Sequence, residues 1–123
     1  MSVSDTISEL LVDNLFAVFG ERDEAQRKAA IARLFATDCS FSDPRGTHVG
    51  HQALNASVAE LQAEFPDHVF TQIGSVDVVG NCGKLAWGLG SVREPLQITG
   101  LDVAIVRDDR ITALYTFLNT PDA

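Results

Sequence analysis

Cysteine is scarce in this chain: Cys39 and Cys82 are the only two among 123 residues. They form no C-x-x-C pair and have no zinc-ligand spacing, so no metal centre is expected from them. They read as reduced thiols of a cytoplasmic protein, with a single disulfide between them left open. Basic residues are few as well, with 9 Lys and Arg against 17 Asp and Glu, a net charge of −8. Nucleic acid and anionic membrane surfaces need a basic face, so neither is expected as a partner. No apolar run approaches membrane-spanning length. The opening Met-Ser-Val-Ser-Asp-Thr has no basic stretch leading into an apolar one, so no secretory signal is expected. Phosphate loops and dinucleotide fingerprints are missing, and no cofactor is expected.

What is present is an ordinary globular composition, 46% hydrophobic and 21% charged. The length suits one domain, residues 1–123, with a real core. Residues 4–19 read as a helix capped by Ser4, with Ile7, Leu10, Leu11, Leu15 and Phe19 on one stripe and Gly20 as the stop. A second helix is expected over Glu24–Phe35, capped by Asp23, with Gln26 at the capping-box position and Ala30, Ile31 and Leu34 inward. Cys39–Asp43 reads as a short strand running into the turn Asp43-Pro-Arg-Gly46. Gly50–Phe65 is a third helix, ended by Pro66-Asp67. The apolar period then changes from 3.6 to 2. Strands are expected over Val69–Val79 (Gly74 a possible bulge), Lys84–Val92, Gln97–Val106 and Ile111–Asn119. Helices first and an antiparallel meander after give an α+β order, with helices on the concave side of a bent sheet. Such a cone encloses a cavity, where ligands sit.

One strand carries an anomaly. Leu101–Val106 is rich in Val and Ile, yet Asp102 stands in its middle. Its neighbours on the same face, Gly100 and Ala104, are small, while Leu101, Val103 and Ile105 on the other face are bulky. A recess around one acid follows, and a carboxyl in an apolar recess is costly to ionise, which raises its pKa.

Leu34-Phe-Ala-Thr-Asp38, Phe41-Ser-Asp-Pro-Arg-Gly46, Gly50-His-Gln-Ala-Leu54, Phe65-Pro-Asp-His68, and Gly100-Leu-Asp-Val103 followed by Asp109-Arg-Ile111 resemble, in this order, the nuclear transport factor 2-like superfamily. Within it the chain is most similar to the SnoaL-like polyketide cyclases and the ketosteroid isomerases, from about residue 8 to residue 119. The resemblance implies the nuclear transport factor 2-like (cystatin-like) cone. It implies a general base at Asp43 and an oxyanion-hole acid at Asp102. It also implies a pocket at Trp87, Leu114, Thr116 and Leu118. The isomerases carry a tyrosine on the first helix; here Leu15 and its neighbours stand there. The only tyrosine, Tyr115, has the parity that points away from the pocket.

Each candidate has a second, structural reading. Asp102 can be a proton donor in the cavity, as in ketosteroid isomerase, whose protonated Asp is the general example of an acid held neutral to bind an enolate, or a buried Asp paired to Arg or backbone. Asp43 can be a base, or the turn residue that Asp-Pro-x-Gly favours. Together the two carboxyls can divide into acid and base, Asp43 being ionised near Arg45. Phe16, Phe19, Phe41 and Trp87 can line an aromatic pocket or fill the core. Gly100 is placed in the pocket beside Asp102. His48 and His51 read as a solvated loop and His68 as structural. The last strand is apolar on both faces, with Ile111, Ala113, Tyr115 and Phe117 on one and Leu114 and Leu118 on the other. Helices cover one face only, so a homodimer through the sheet is expected.

The leading expectation is a cofactor-free acid–base enzyme, isomerase or cyclase, acting on a small hydrophobic carbonyl compound. The alternative is a non-catalytic binding or accessory protein with the same cavity. A third is an epoxide hydrolase-like site, which needs an Asp-Arg-Asp cluster. Arg93, Arg107 and Arg110 lie in turns and at a strand end, away from Asp102.

Overall fold

The computed structural model describes residues 2–119. Helix α1, Val3–Asp13, begins two residues earlier than expected, because Ser2 rather than Ser4 caps it. The Ser2 Oγ accepts from the Asp5 backbone N–H at 3.1 Å, and Asp5 Oδ2 accepts from the Ser2 N–H at 3.3 Å. This reciprocal box outcompetes a cap at Ser4. The helix then widens into a π-helical turn, Asn14–Phe19, that ends at Gly20. The apolar stripe stays inward: Ile7, Leu11, Leu15 and Phe19 are buried.

Helix α2, Glu24–Leu34, is capped by Asp23, whose side chain accepts from the Gln26 N–H at 3.0 Å. It stops one residue short of expectation because Phe35 is already extended. Strand β1 therefore runs Phe35–Asp43, and a further short strand, β2, Gly46–Val49, turns back on it. Helix α3 is His51–Glu64. Strands β3 (Val69–Val79), β4 (Cys82–Gly90), β5 (Ile98–Arg107) and β6 (Arg110–Asn119) complete the molecule.

The six strands form one curved, unclosed sheet in the order β2-β1-β6-β5-β4-β3. All neighbours are antiparallel except β1 and β6, which run parallel. Asp108 and Asp109, both at positive φ, make the tight β5–β6 turn, and acids tolerate that conformation better than most residues. Gly74, at φ +71, sits where the β3–β4 register slips between Ile73 and Asp77. Helix α1 lies across β3, β4 and β5. It comes close because Gly83 has no side chain where Ile7 and Leu11 press down.

A second slip corrects the sequence reading of β6. Ile111 pairs with Val106, whereas Ala113 pairs with Ile105, so Thr112 is an inserted residue. Parity reverses across it. Ile111 is buried in the core, and only Ala113, Tyr115 and Phe117 look outward. Tyr115 is 42% and Phe117 56% exposed.

The histidine next to helix α3 also needs correcting. His51 is not in a solvated loop: its Nε2 lies 3.0 Å from the Phe35 carbonyl and 2.9 Å from that of Ala36. It ties the irregular start of β1 to the helix. The two cysteines are free thiols. Among the described residues no helix is long and apolar enough to cross a membrane.

A buried polar clip ties α3 to α2 and to the end of the π-helical turn. Arg27, 2% exposed, donates to Asn55 Oδ1 (2.7 Å), the Glu21 carbonyl (3.0 Å) and Gln62 Oε1 (3.0 Å). Gln62 Nε2 donates in turn to the carbonyls of Phe19 (2.9 Å) and Glu21 (2.8 Å). Gln62→Leu leaves a buried guanidinium short of one acceptor and takes a donor from the Phe19 carbonyl, while the Glu21 carbonyl keeps Arg27. A loss of about 2–3 kcal/mol is expected in urea unfolding; a change under 0.5 kcal/mol, roughly the size of a surface substitution, would remove the clip from the account.

Candidate active site

Asp102 sits on the inner face of β5 and is 3% exposed. Thr116 is its direct partner across β6, and Leu85 across β4. Trp87, two residues along β4, pairs with Gly100. A Cβ on Gly100 would fall 2.3 Å from Trp87 Cζ2 and 2.6 Å from the Phe117 carbonyl. The missing side chain is thus what lets the indole lie flat against β5 and reach the acid. Trp87 Nε1–H donates to Asp102 Oδ1 at 3.0 Å, and Thr116 Oγ1–H donates to the same oxygen at 2.7 Å. Both bonds fall on Oδ1, so Oδ2 is the oxygen left to face the cavity that Asp102 lines.

Burial pushes the Asp102 pKa up from an ordinary 3.8 to about 6, against the opposing pull of the bonds from Thr116 and Trp87. Desolvation of the charged form outweighs two donors. In the protonated form, a carbonyl-like Oδ1 holds two donors and the hydroxyl stands at Oδ2. A proton donor is thereby aimed into an apolar space.

That space is a cavity of about 260 Å³. Leu15 and Phe19 come to it from the first helix, Phe41 from β1, and Leu61 and Phe65 from the end of α3. Phe70, Trp87 and Leu89 form the far wall. The aromatic rings meet edge to face, Phe19 on Phe41 at 5.4 Å and Phe70 on Trp87 at 5.5 Å. The polar lining is Asp43, Arg45, Glu64, Asp102 and Thr116.

Asp43 ends β1 and opens its turn. Its Oδ1 accepts the Arg45 backbone N–H at 3.0 Å, the bond a turn-initiating Asp makes. Its Oδ2 accepts from Arg45 Nε and lies 3.0 Å from Nη2. The guanidinium also donates from Nη2 to Ser57 Oγ at 2.7 Å and stands 3.6 Å from Glu60 Oε2. Asp43 therefore has both the turn geometry and a place in the cavity, and it is clamped by a cation from its own turn.

The structure thus brings Asp43, Asp102, Phe19, Phe41, Trp87, Thr116 and Leu118 to one cavity. Three residues expected there do not line it. Phe16 points outward, 44% exposed, because it lies off the buried stripe of the π-helical turn. Leu114 is fully buried between Phe41 and Ala104 in the sheet register. Gly100 lies behind the Trp87 ring rather than in front of it. Sequence reasoning missed Phe70, whose inward parity on β3 was legible. It set Arg93, Arg107 and Arg110 away from Asp102 and placed Arg45 near Asp43, and Arg45 lines the cavity. Its signal was the two-residue spacing from Asp43. His48 stacks on Phe41 at 5.8 Å, and His68 Nε2 lies 3.1 Å from Gln97 Oε1.

The family model of the SnoaL-like domain matches residues 12–114. No curated protein matches the chain. Among solved structures, a candidate isomerase of the SnoaL-like family from Agrobacterium tumefaciens is 24% identical, covering 94% of this chain and 99% of its own at a TM-score of 0.86. A candidate polyketide cyclase from Sinorhizobium meliloti is 16% identical, with 94% and 99% covered and a TM-score of 0.70. A candidate ketosteroid isomerase from Kribbella flavida is 16% identical, with 94% and 79% covered and a TM-score of 0.68. At such identities the likeness is one of fold, the nuclear transport factor 2-like cone expected from the sequence.

Proposed function

This chain belongs to the SnoaL-like domain family, and from that premise we propose that it is a cofactor-free acid–base enzyme, an isomerase or cyclase, acting on a small apolar carbonyl compound. The observation that carries this reading is Asp102, 3% exposed, with two donors on Oδ1 and Oδ2 left to the cavity. In the reaction, the Asp102 hydroxyl donates to the substrate carbonyl oxygen. Asp43 takes a proton from the carbon next to that carbonyl, and charge develops on the oxygen that Asp102 holds. Hydrogen bonding strengthens as that charge grows, which is where such a donor accelerates a reaction. The proton then returns at another carbon, or the enolate carbon attacks a second carbonyl and closes a ring. Trp87 holds the apolar body and the acid at once.

The test is turnover of an enone or cyclisable diketone by the wild type, Asp43→Asn and Asp102→Asn, with folding followed by circular dichroism. Both substitutions are expected to lower kcat by about 100-fold or more while the fold persists. Full activity in either variant sinks the assignment of that residue. A second reading is a binding protein with the same cavity, and the Arg45 clamp on Asp43 favours it, since both carboxylate oxygens are already engaged. Saturable binding with no turnover of any carbonyl substrate is its signature.

We further propose that two copies associate through the outer face of the sheet. Tyr115 and Phe117 stand exposed there beside half-buried Leu101, Val103 and Ile105. The patch runs along the central β5–β6 pair, so a twofold axis can lay it on itself. Light scattering at micromolar concentration is expected to give twice the 13.3 kDa chain mass, and Phe117→Glu to give the single mass; a monomeric wild type overturns this. Free Cys39 and Cys82 accord with a cytoplasmic setting.

A further inference from the structure

We infer that the cavity selects an uncharged, flat carbonyl compound of one or two fused rings and turns away anions of the same size. The carbonyl part of this inference rests on the proposed acid–base reading; the size and charge parts do not.

Size comes first. A space of about 260 Å³ holds roughly ten to thirteen non-hydrogen atoms at the density of a packed organic crystal. A four-ring skeleton exceeds it. Shape comes next: the walls are ring faces and edges, with Phe19, Phe41, Phe70 and Trp87 in edge-to-face contact around the space. A planar ring slides between such walls with the least distortion.

Charge decides the rest. Among the described residues Arg45 is the only cation lining the cavity; its guanidinium is bonded to Asp43 and to Ser57 and lies 3.6 Å from Glu60. Glu64 lines the same opening. Two acidic side chains thus pair with one guanidinium, and a third lines the same opening. An anionic ligand can recruit Arg45 only by stripping it from Asp43, whose side chain is 9% exposed and would be left buried without its partner. That exchange is unfavourable. A neutral carbonyl oxygen meets none of these penalties.

The test uses the full chain and its single tryptophan, whose indole N–H gives one resolved amide-type signal in a nitrogen–proton correlation spectrum. At pH 5, 1-tetralone, 1-naphthoate and a four-ring steroid enone are titrated in turn. Saturable movement of the Trp87 signal is expected with 1-tetralone. Binding of 1-naphthoate is expected to be at least about 30-fold weaker, and the steroid to give no saturable shift. In the Glu60→Gln, Glu64→Gln double variant the naphthoate gap is expected to narrow several-fold. Naphthoate or steroid binding as tightly as tetralone overturns the inference, and so does a Trp87 signal that none of the three moves. Deuterium uptake at the tetralone carbon beside the carbonyl is followed in the same samples. Binding without uptake would overturn the acid–base reading and leave this inference standing.

Discussion

Asp102→Asn is expected to unfold at a temperature about 10 °C above the wild type at pH 8, and to lose that advantage at pH 4. The sign follows from the direction of the shift. The folded protein holds the Asp102 proton up to about pH 6, whereas the unfolded chain releases it near 3.8. Between those values the folded state binds more protons, so wild-type stability falls as pH rises through that window and then levels off. A move from 3.8 to about 6 amounts to about 3 kcal/mol of stability lost at neutral pH. The asparagine variant has nothing to ionise. Its Oδ1 still accepts from Trp87 and Thr116, and its amide takes the Oδ2 place facing the cavity. For a chain of this length about 3 kcal/mol corresponds to roughly 10 °C in Tm. Thermal unfolding of both proteins from pH 4 to pH 8 checks it. Parallel curves across that range would mean that the carboxyl is not dehydrated by the fold.

The second large effect concerns the rate. If Asp102 acts as the donor, only its protonated form works, and kcat/KM is expected to fall tenfold per pH unit above about 6. The acid is half protonated at pH 6, so the drop between pH 6 and pH 8 is about 50-fold. A profile that rises through the same range would assign Asp102 the role of base and exchange the parts of the two carboxyls. In Asp102→Asn the residual rate is expected to lose this dependence, since the titrating group is gone. Stability and rate thus pull in opposite directions at one residue, the trade often met where a site needs a group the fold would rather not bury.

The features legible in the sequence were those with a local cause. Asp102 stood out because a charge between Gly100 and Ala104 breaks a Val- and Ile-rich strand, and the structure gives that charge a cavity and two donors. The Gly74 slip and the Asp108-Asp109 turn were marked by the backbone conformations those residues favour. Helices were found within a residue or two of their ends. Where the sequence misled, the cause was not local. The Thr112 insertion, which turns Ile111 inward, is decided by pairing with β5 on one side and β1 on the other. The π-helical turn looks like ordinary helix in composition, but the outward aim of Phe16 had a signal, since it stood off the apolar stripe of Ile7, Leu11, Leu15 and Phe19. Strand β2 is four mostly polar residues that pair with β1, and nothing in Gly-Thr-His-Val alone announces a strand. Arg45 faces the cavity because the turn after Asp43 folds its side chain back over its own acid.

The parallel pairing of β1 with β6 carries a consequence for how the molecule is made. Phe35 and Phe41 lie in the first third of the chain, yet their partners Ile111 and Leu114 lie near its end. During synthesis β1 emerges with only the short β2 to pair with, and its other edge stays open until β6 has left the ribosome. Pairings so distant along the chain are slow to close. A nascent chain stalled before Ile111 should therefore be a substrate for chaperones and proteases, while one released a few residues later folds. The timing of this pairing is set by the emergence of β6.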